Sequence, residues 1–182
     1  ESEKRIFVST HSPNFVMGCI QSGAPVNIVR LTYRGGIPTA RVLTNKDILP
    51  LMRNPLLRST NVISALFYEF VVVTEADADR AFYQEINDRL LRYQPELGIA
   101  NCLFINAQNK QTVKTIIKPL RELGIPAVGI VDIDIVKDGG KDWIGLLESS
   151  FVPEIEHQSL ANLRHAVNQK LEASGKKMKS DG

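Results

Sequence analysis

The stretch EFVVVTEADADRAFYQEI, residues 69–86, decides the fold class of this chain. Its apolar start predicts a strand over 69–74, and the apolar residues that then recur at helical spacing predict a helix over 77–93. The same alternation continues with strand 102–106, helix 110–123 and strand 126–132. Such a β-α-β-α-β series predicts an α/β fold in which helices flank a parallel sheet.

The residues before this series follow a different pattern. An apolar run predicts a buried strand over 4–10, and residues 26–33 and 38–44 predict a hairpin around Gly35 and Gly36. Residues 45–67 predict helix that is interrupted at Asn54-Pro55. We therefore expect one domain segment over 1–67 and another over 68–182, the latter with further helices over 141–149 and 157–173.

Composition excludes several classes of protein. The chain has 182 residues, of which 43% are hydrophobic and 23% are charged, a balance that is typical of a globular domain. It has no apolar run long enough to span a membrane, and its two separated cysteines fit a cytoplasmic protein. The net charge of +2 is too small to indicate nucleic-acid binding by itself.

Four carboxylates are expected at one edge of the sheet. Glu75 follows the first strand of the series, Asp79 lies one turn into the next helix, and Asp132 and Asp134 end the third strand. Residues i and i+2 of a strand project to the same side, and sites in open α/β sheets form at the carboxyl ends of the strands. The pattern therefore predicts that all four side chains face a common point.

Converging carboxylates repel one another, by about 1 kcal/mol in water and about 4 kcal/mol at an effective dielectric of 20. A hard cation relieves that repulsion, and Mg²⁺ or Mn²⁺ fits a set of carboxylate ligands. The alternative is that each acid caps a helix or lies on the surface, and for Asp79 taken alone this alternative is the better one.

The run VVVTEADADRAFYQEI, followed later by GIPAVGIVDID, resembles the TOPRIM fold of topoisomerases, primases and OLD-family (overcoming lysogenisation defect) nucleases. Glu75, Asp79, Asp132 and Asp134 match its pattern of a strand-end Glu, an acid four residues on, and a later Asp-x-Asp. The resemblance implies a metal-dependent DNA endonuclease in which these acids hold one or two Mg²⁺ or Mn²⁺ ions. It also implies that Glu75, Asp132 and Asp134 are catalytic. Lys110, at the start of a helix, is a candidate for contacting a DNA phosphate.

The first residues, ESEKRIFVSTHSPNFV, resemble the switch-histidine segment of ABC-type ATPases, with His11 at the position of the histidine that senses ATP. The resemblance implies that residues 1–67 are the remnant of such a domain and that OLD-family proteins carry the rest of the ATPase before it and oligomerise. No phosphate-binding loop of the G-x-x-x-x-G-K-[ST] type occurs in the sequence, so we expect ATP to act only in the full-length protein.

Two departures from the family pattern bear on the site. The family usually has Gly after the strand-end Glu, where this chain has Ala76. The nuclease unit of the family also continues with another strand that bears an acidic residue. We therefore expect the TOPRIM unit, residues 68–182, to be truncated at its C-terminal end and its nuclease site to be incomplete.

Two other functions remain open. The run GIVDIDIV also fits the first motif of haloacid-dehalogenase-like phosphatases, although that interpretation leaves Glu75 without a role. The other alternative is a non-catalytic TOPRIM appendage that regulates or dimerises an ATPase.

Overall fold

The computed structural model describes residues 4–173, and the contacts divide the chain into two compact units, Glu1–Glu69 and Phe70–Gly182. The division lies close to the boundary expected from the sequence. The assignment of the first unit to an ATPase remains a prediction. None of the helices in the described range is long and apolar enough to cross a membrane.

The first unit contains short helices and one hairpin. Its elements, in chain order, are helix α1 (Pro13–Gln21), strands β1 (Ile28–Arg34) and β2 (Ile37–Leu43), helices α2 (Asn45–Arg53) and α3 (Pro55–Ser59), and a 3-10 helix (Val62–Phe67). The two strands pair antiparallel, which confirms the predicted hairpin. Helix α3 begins at Pro55 because the side chain of Asn54 accepts a hydrogen bond from the amide of Leu56, at 3.0 Å.

The prediction of a buried strand over residues 4–10 is wrong. The segment has no regular secondary structure, and Ile6 and Phe7 are 85% and 93% exposed. A strand is stable only where a neighbour pairs with its backbone groups, and no other strand in the described range pairs with this segment. Helix α1 was not anticipated, although Ser12 caps it and Pro13 occupies its first position.

The second unit has the predicted α/β fold. Its elements are β3 (Phe70–Thr74), α4 (Asp77–Tyr93), β4 (Cys102–Asn106), α5 (Lys110–Glu122), β5 (Ala127–Ile130), α6 (Ile135–Asp138), α7 (Gly140–Ser149) and α8 (Glu154–Ala173). The three strands are parallel in the order β4-β3-β5. All three therefore end at the same edge, with Thr74 between Asn106 and Ile130 in the register.

Helix α5 packs on the sheet through one apolar face. Val113, Ile116, Ile117 and Leu120 are fully buried, as their spacing predicts. The approach to β5 is close: a Cβ added to Gly129 would lie 2.6 Å from side-chain atoms of Val113 and Ile117. Gly124 follows the helix with φ +74° and so forms the predicted C-terminal glycine stop.

Helix α4 buries a polar residue that the apolar pattern does not indicate. Asn87 is 7% exposed, whereas Phe82 and Tyr93, two of the residues at helical spacing, are 61% and 73% exposed. The Asn87 side chain donates to the carbonyl of Ile99 at 3.0 Å and accepts from the amide of Ile99 at 2.7 Å. This pair of hydrogen bonds holds the segment before β4 against the helix.

Candidate metal and nucleic-acid site

The candidate site lies where the three parallel strands end. Glu75 directly follows β3, and the buried Thr74 before it fixes the turn: its hydroxyl donates to the carbonyl of Ala76 at 3.1 Å. Ala76 has φ −125° and ψ 166°, an extended conformation that any residue adopts. The alanine in place of the usual glycine therefore places no strain on this turn.

Glu75 reaches across to the segment that follows β5. Its Oε1 accepts a hydrogen bond from the backbone amide of Asp132 at 2.8 Å. Burial raises the pKa of Glu75, and the nearby carboxylates of Asp132 and Asp134 raise it further, although the Asp132 amide and the Lys110 ammonium act in the opposite direction. Asp132 and Asp134 are therefore close enough for their charges to act on Glu75.

Asp132 and Asp134 do not belong to the strand, contrary to the sequence-based prediction. Strand β5 ends at Ile130, and the two residues lie in the turn before α6, with Asp134 in a helical conformation of φ −60° and ψ −21°. The strand ends early because its partner β3 also ends, at Thr74, and no pairing between them extends further. The i, i+2 rule for strands therefore does not govern the directions of these side chains.

Asp134 forms an ion pair with Lys110. Lys110 Nζ donates to Asp134 Oδ2 at 2.7 Å, and the lysine side chain is only 16% exposed. The other carboxylate oxygen of Asp134, Oδ1, is buried and lacks a hydrogen-bond partner among the described residues. A buried carboxylate oxygen without a partner is unfavourable, and a cation or a donor from a ligand would satisfy it.

Asp79 lies at the start of α4, where its Oδ2 accepts a hydrogen bond from the amide of Ala76 at 3.2 Å. This is the helix-capping contact that its position in the first turn favours. Asp79 is also not among the charges that shift the pKa of Glu75. Its role as a metal ligand remains a proposal.

Two polar contacts link the helices around the acidic turn to one another. Arg164 of α8 donates to the carbonyl of Val136 at 2.7 Å, and its guanidinium lies over the ring of Trp143. Lys114, one helical turn after Lys110, pairs with Asp142 of α7 at 2.6 Å. Sequence reasoning missed the Arg164 contact, because the contact depends on how α8 packs against α6 and α7.

His11 belongs to the first unit, where it is exposed and precedes helix α1. Its predicted role as an ATP sensor depends on an ATPase domain, and the contacts of the described residues do not bear on it.

The chemistry of the site fits a divalent cation only partly. The three neighbouring carboxylates offer only oxygen donors, which Mg²⁺ and Mn²⁺ prefer, and Asp134 Oδ1 is a donor without a partner among the described residues. In the structure, however, no three His, Cys, Asp or Glu side chains among residues 4–173 are close enough together to hold a metal ion. The residues therefore fit such an ion in charge and donor type, but their side chains would have to reorient to hold one.

Comparison with known proteins identifies the segment that bears this site. Residues 66–134 match the family model described as overcoming lysogenization defect protein-like, TOPRIM domain. The match spans β3 to β5 and ends at Asp134, so that it includes all four acids and Lys110. No curated protein matches the chain.

Proposed function

We propose that this chain is a divalent-metal-dependent DNA endonuclease. Residues 66–134 match the OLD-like TOPRIM domain, a type of domain typical of metal-dependent enzymes that act on nucleic acids. The observation that carries the proposal is the contact between Glu75 and the Asp132 amide, with Asp134 nearby, at the carboxyl edge of the sheet. Sites in open α/β sheets form at this edge.

In this proposal, Glu75, Asp132 and Asp134 hold Mg²⁺ or Mn²⁺, with Asp79 as a further ligand after it releases its capping contact. The ion would supply positive charge against the oxygens of the scissile phosphate. The direction of the pKa shift of Glu75 supports a second role for this residue, as the group that accepts or donates the proton during hydrolysis. A carboxyl group whose pKa is raised by burial transfers protons nearer to neutral pH.

Lys110 is the proposed contact for a DNA phosphate. Its ammonium lies 2.7 Å from Asp134 Oδ2, so a phosphate bound beside the acids would be within reach of the same side chain. As a flexible point charge, lysine suits this task.

We further propose that the chain acts within a longer, cytoplasmic OLD-family protein. There, an ABC-type ATPase domain, to which residues 1–67 belong and in which His11 is the ATP-sensing residue, would couple ATP to cleavage in a homo-oligomer. A role in defence against phage would follow from that family membership.

A non-catalytic role is the second candidate, and a specific observation favours it. Asp134 is already neutralised by Lys110, and the acids are not grouped for metal binding within the range that the structure describes. A domain of this kind would bind a partner or regulate an ATPase without cleaving DNA.

Cleavage of supercoiled plasmid separates these candidates. We expect the protein to nick plasmid in Mn²⁺ or Mg²⁺ and not in EDTA, and Glu75→Gln to lose roughly a hundredfold or more of the rate, as expected for loss of a proton-transferring group. Asp88→Asn, which removes an exposed acid later in α4, is the matched control and should cleave normally. Metal binding without cleavage would favour the non-catalytic role. Release of phosphate from p-nitrophenyl phosphate would favour a phosphatase.

A further inference from the structure

Lys110 occupies a position that helix stability does not explain. It is the first residue of α5, where the helix dipole disfavours a positive charge, and no acidic residue in the first turn of α5 offsets it. The cap of this helix is formed instead by Asn109, whose Oδ1 accepts from the amide of Thr112 at 2.9 Å. Some other interaction must therefore explain why a lysine stands at this position and why its side chain is mostly buried.

The contact with Asp134 provides that cause. The Lys110 side chain is only 16% exposed, and a charged group on a mostly buried side chain is costly unless it is paired; Asp134 Oδ2 at 2.7 Å supplies the pairing. The same ammonium lies close enough to influence Glu75. One lysine charge therefore offsets some of the repulsion among three carboxylates.

We propose that Lys110 is a built-in counter-cation, which stabilises the metal-free acidic site and competes with the divalent ion for Asp134. This inference rests on the proposed metal-dependent function. It adds that the charge of Lys110 regulates how tightly the site binds metal. Because an ammonium and a divalent ion repel each other at one carboxylate, binding of metal moves Lys110 away from Asp134. The lysine then sets the concentration of metal at which the site fills.

Calorimetric titration with Mn²⁺ tests the competition. Lys110→Met should bind Mn²⁺ about fivefold or more tightly than the wild type, the lower end of typical coupling between linked sites. Lys114→Met is the matched control: it removes the same charge from the same helix one turn later, where the partner is Asp142, and it should bind Mn²⁺ as the wild type does.

A second measurement needs no variant. Lysine acetylation with a limiting reagent, read by mass spectrometry, should modify Lys110 slowly in EDTA, because its side chain is mostly buried and its ammonium is paired, and faster in Mn²⁺. Lys114 should react at the same rate in both.

The outcomes distinguish this inference from the function on which it rests. Equal or weaker Mn²⁺ binding by Lys110→Met, or acetylation of Lys110 that is no faster in Mn²⁺ than in EDTA, overturns the counter-cation alone. If neither wild type nor Lys110→Met binds Mn²⁺ at millimolar concentration, the metal-dependent function fails and the inference fails with it.

Discussion

The carboxylate of Glu75 accepts a hydrogen bond of 2.8 Å from the backbone amide of Asp132, a residue 57 positions later in the chain. The contact joins the end of β3 to the turn after β5, the two points at which a parallel sheet brings functional groups together. Burial and the neighbouring carboxylates raise the pKa of Glu75, and this hydrogen bond offsets them only in part.

The pH dependence of stability should report on Glu75. Its pKa is raised above 4.5 in the folded protein, so the folded state binds this proton more tightly than the unfolded chain does. The resulting cost grows as pH rises from 4.5 through the folded pKa and persists above it. In EDTA, Glu75→Gln should therefore be more stable than the wild type near pH 7, and the difference should vanish below about pH 4.5.

Urea unfolding across this pH range measures the effect. Glutamine keeps a side-chain oxygen that can accept from the Asp132 amide, so the comparison isolates the charge. A variant that is less stable than the wild type at pH 7 would mean that the carboxylate is stabilised where it lies.

The turn before α7 depends on Gly139. Its φ of 57° and ψ of −137° suit only glycine, and an added Cβ would lie 2.6 Å from the guanidinium carbon of Arg164. Gly139→Ala should therefore cost about 1–3 kcal/mol for the backbone alone and more for displacing Arg164. Gly140→Ala, at φ +58° with open space around the added Cβ, is the matched control and should cost less.

Unfolding of both variants with and without Arg164→Ala separates the two causes. If the contact matters, the penalty of Gly139→Ala falls when Arg164 is removed, and that of Gly140→Ala does not. An unchanged penalty would assign the whole cost to the backbone.

Asn87 provides a test of the packing between α4 and the segment before β4. Asn87→Leu leaves the amide and the carbonyl of Ile99, in two part-buried contacts, without their side-chain partner, so it should destabilise the protein by about 1–3 kcal/mol. Asn87→Asp keeps the acceptor for the Ile99 amide and should retain some of that stability at neutral pH. Chemical denaturation gives both values; equal stability of wild type and Asn87→Leu would show that water replaces the lost bonds.

The sequence predicts what depends on local pattern. The spacing of Val113, Ile116 and Leu120 determines the buried face of α5, and the apolar run before Glu75 determines β3. The same reasoning places Glu75 directly after β3.

Contacts that depend on tertiary packing could not be predicted. The exposed run at Ile6 has the composition of a strand and lacks a pairing partner in the described structure. The Lys110–Asp134 pair joins residues 24 positions apart, between the first residue of α5 and the turn after β5. Neither the position of a strand end nor the direction of such a turn is contained in the periodicity.

Binding of a divalent metal by Glu75 and Asp132, together with Asp134, is central to the proposed function. Glu75→Gln combined with Asp132→Asn removes two charges from the site and leaves the Lys110–Asp134 pair intact. Loss of mutual repulsion should leave the variant at least as stable as the wild type in EDTA. Metal that binds only the folded state should stabilise the wild type alone, by about 2.7 kcal/mol at roughly 100 times Kd.

Thermal unfolding of the wild type and this double variant, each in EDTA and in Mn²⁺, is the most direct measurement. At roughly 2–4 °C per kcal/mol for a chain of this size, we predict that Mn²⁺ raises the wild-type Tm by about 5–10 °C and leaves the variant unchanged. A wild type that does not respond to Mn²⁺, together with a variant that is much less stable in EDTA, would contradict metal binding and make these acids structural.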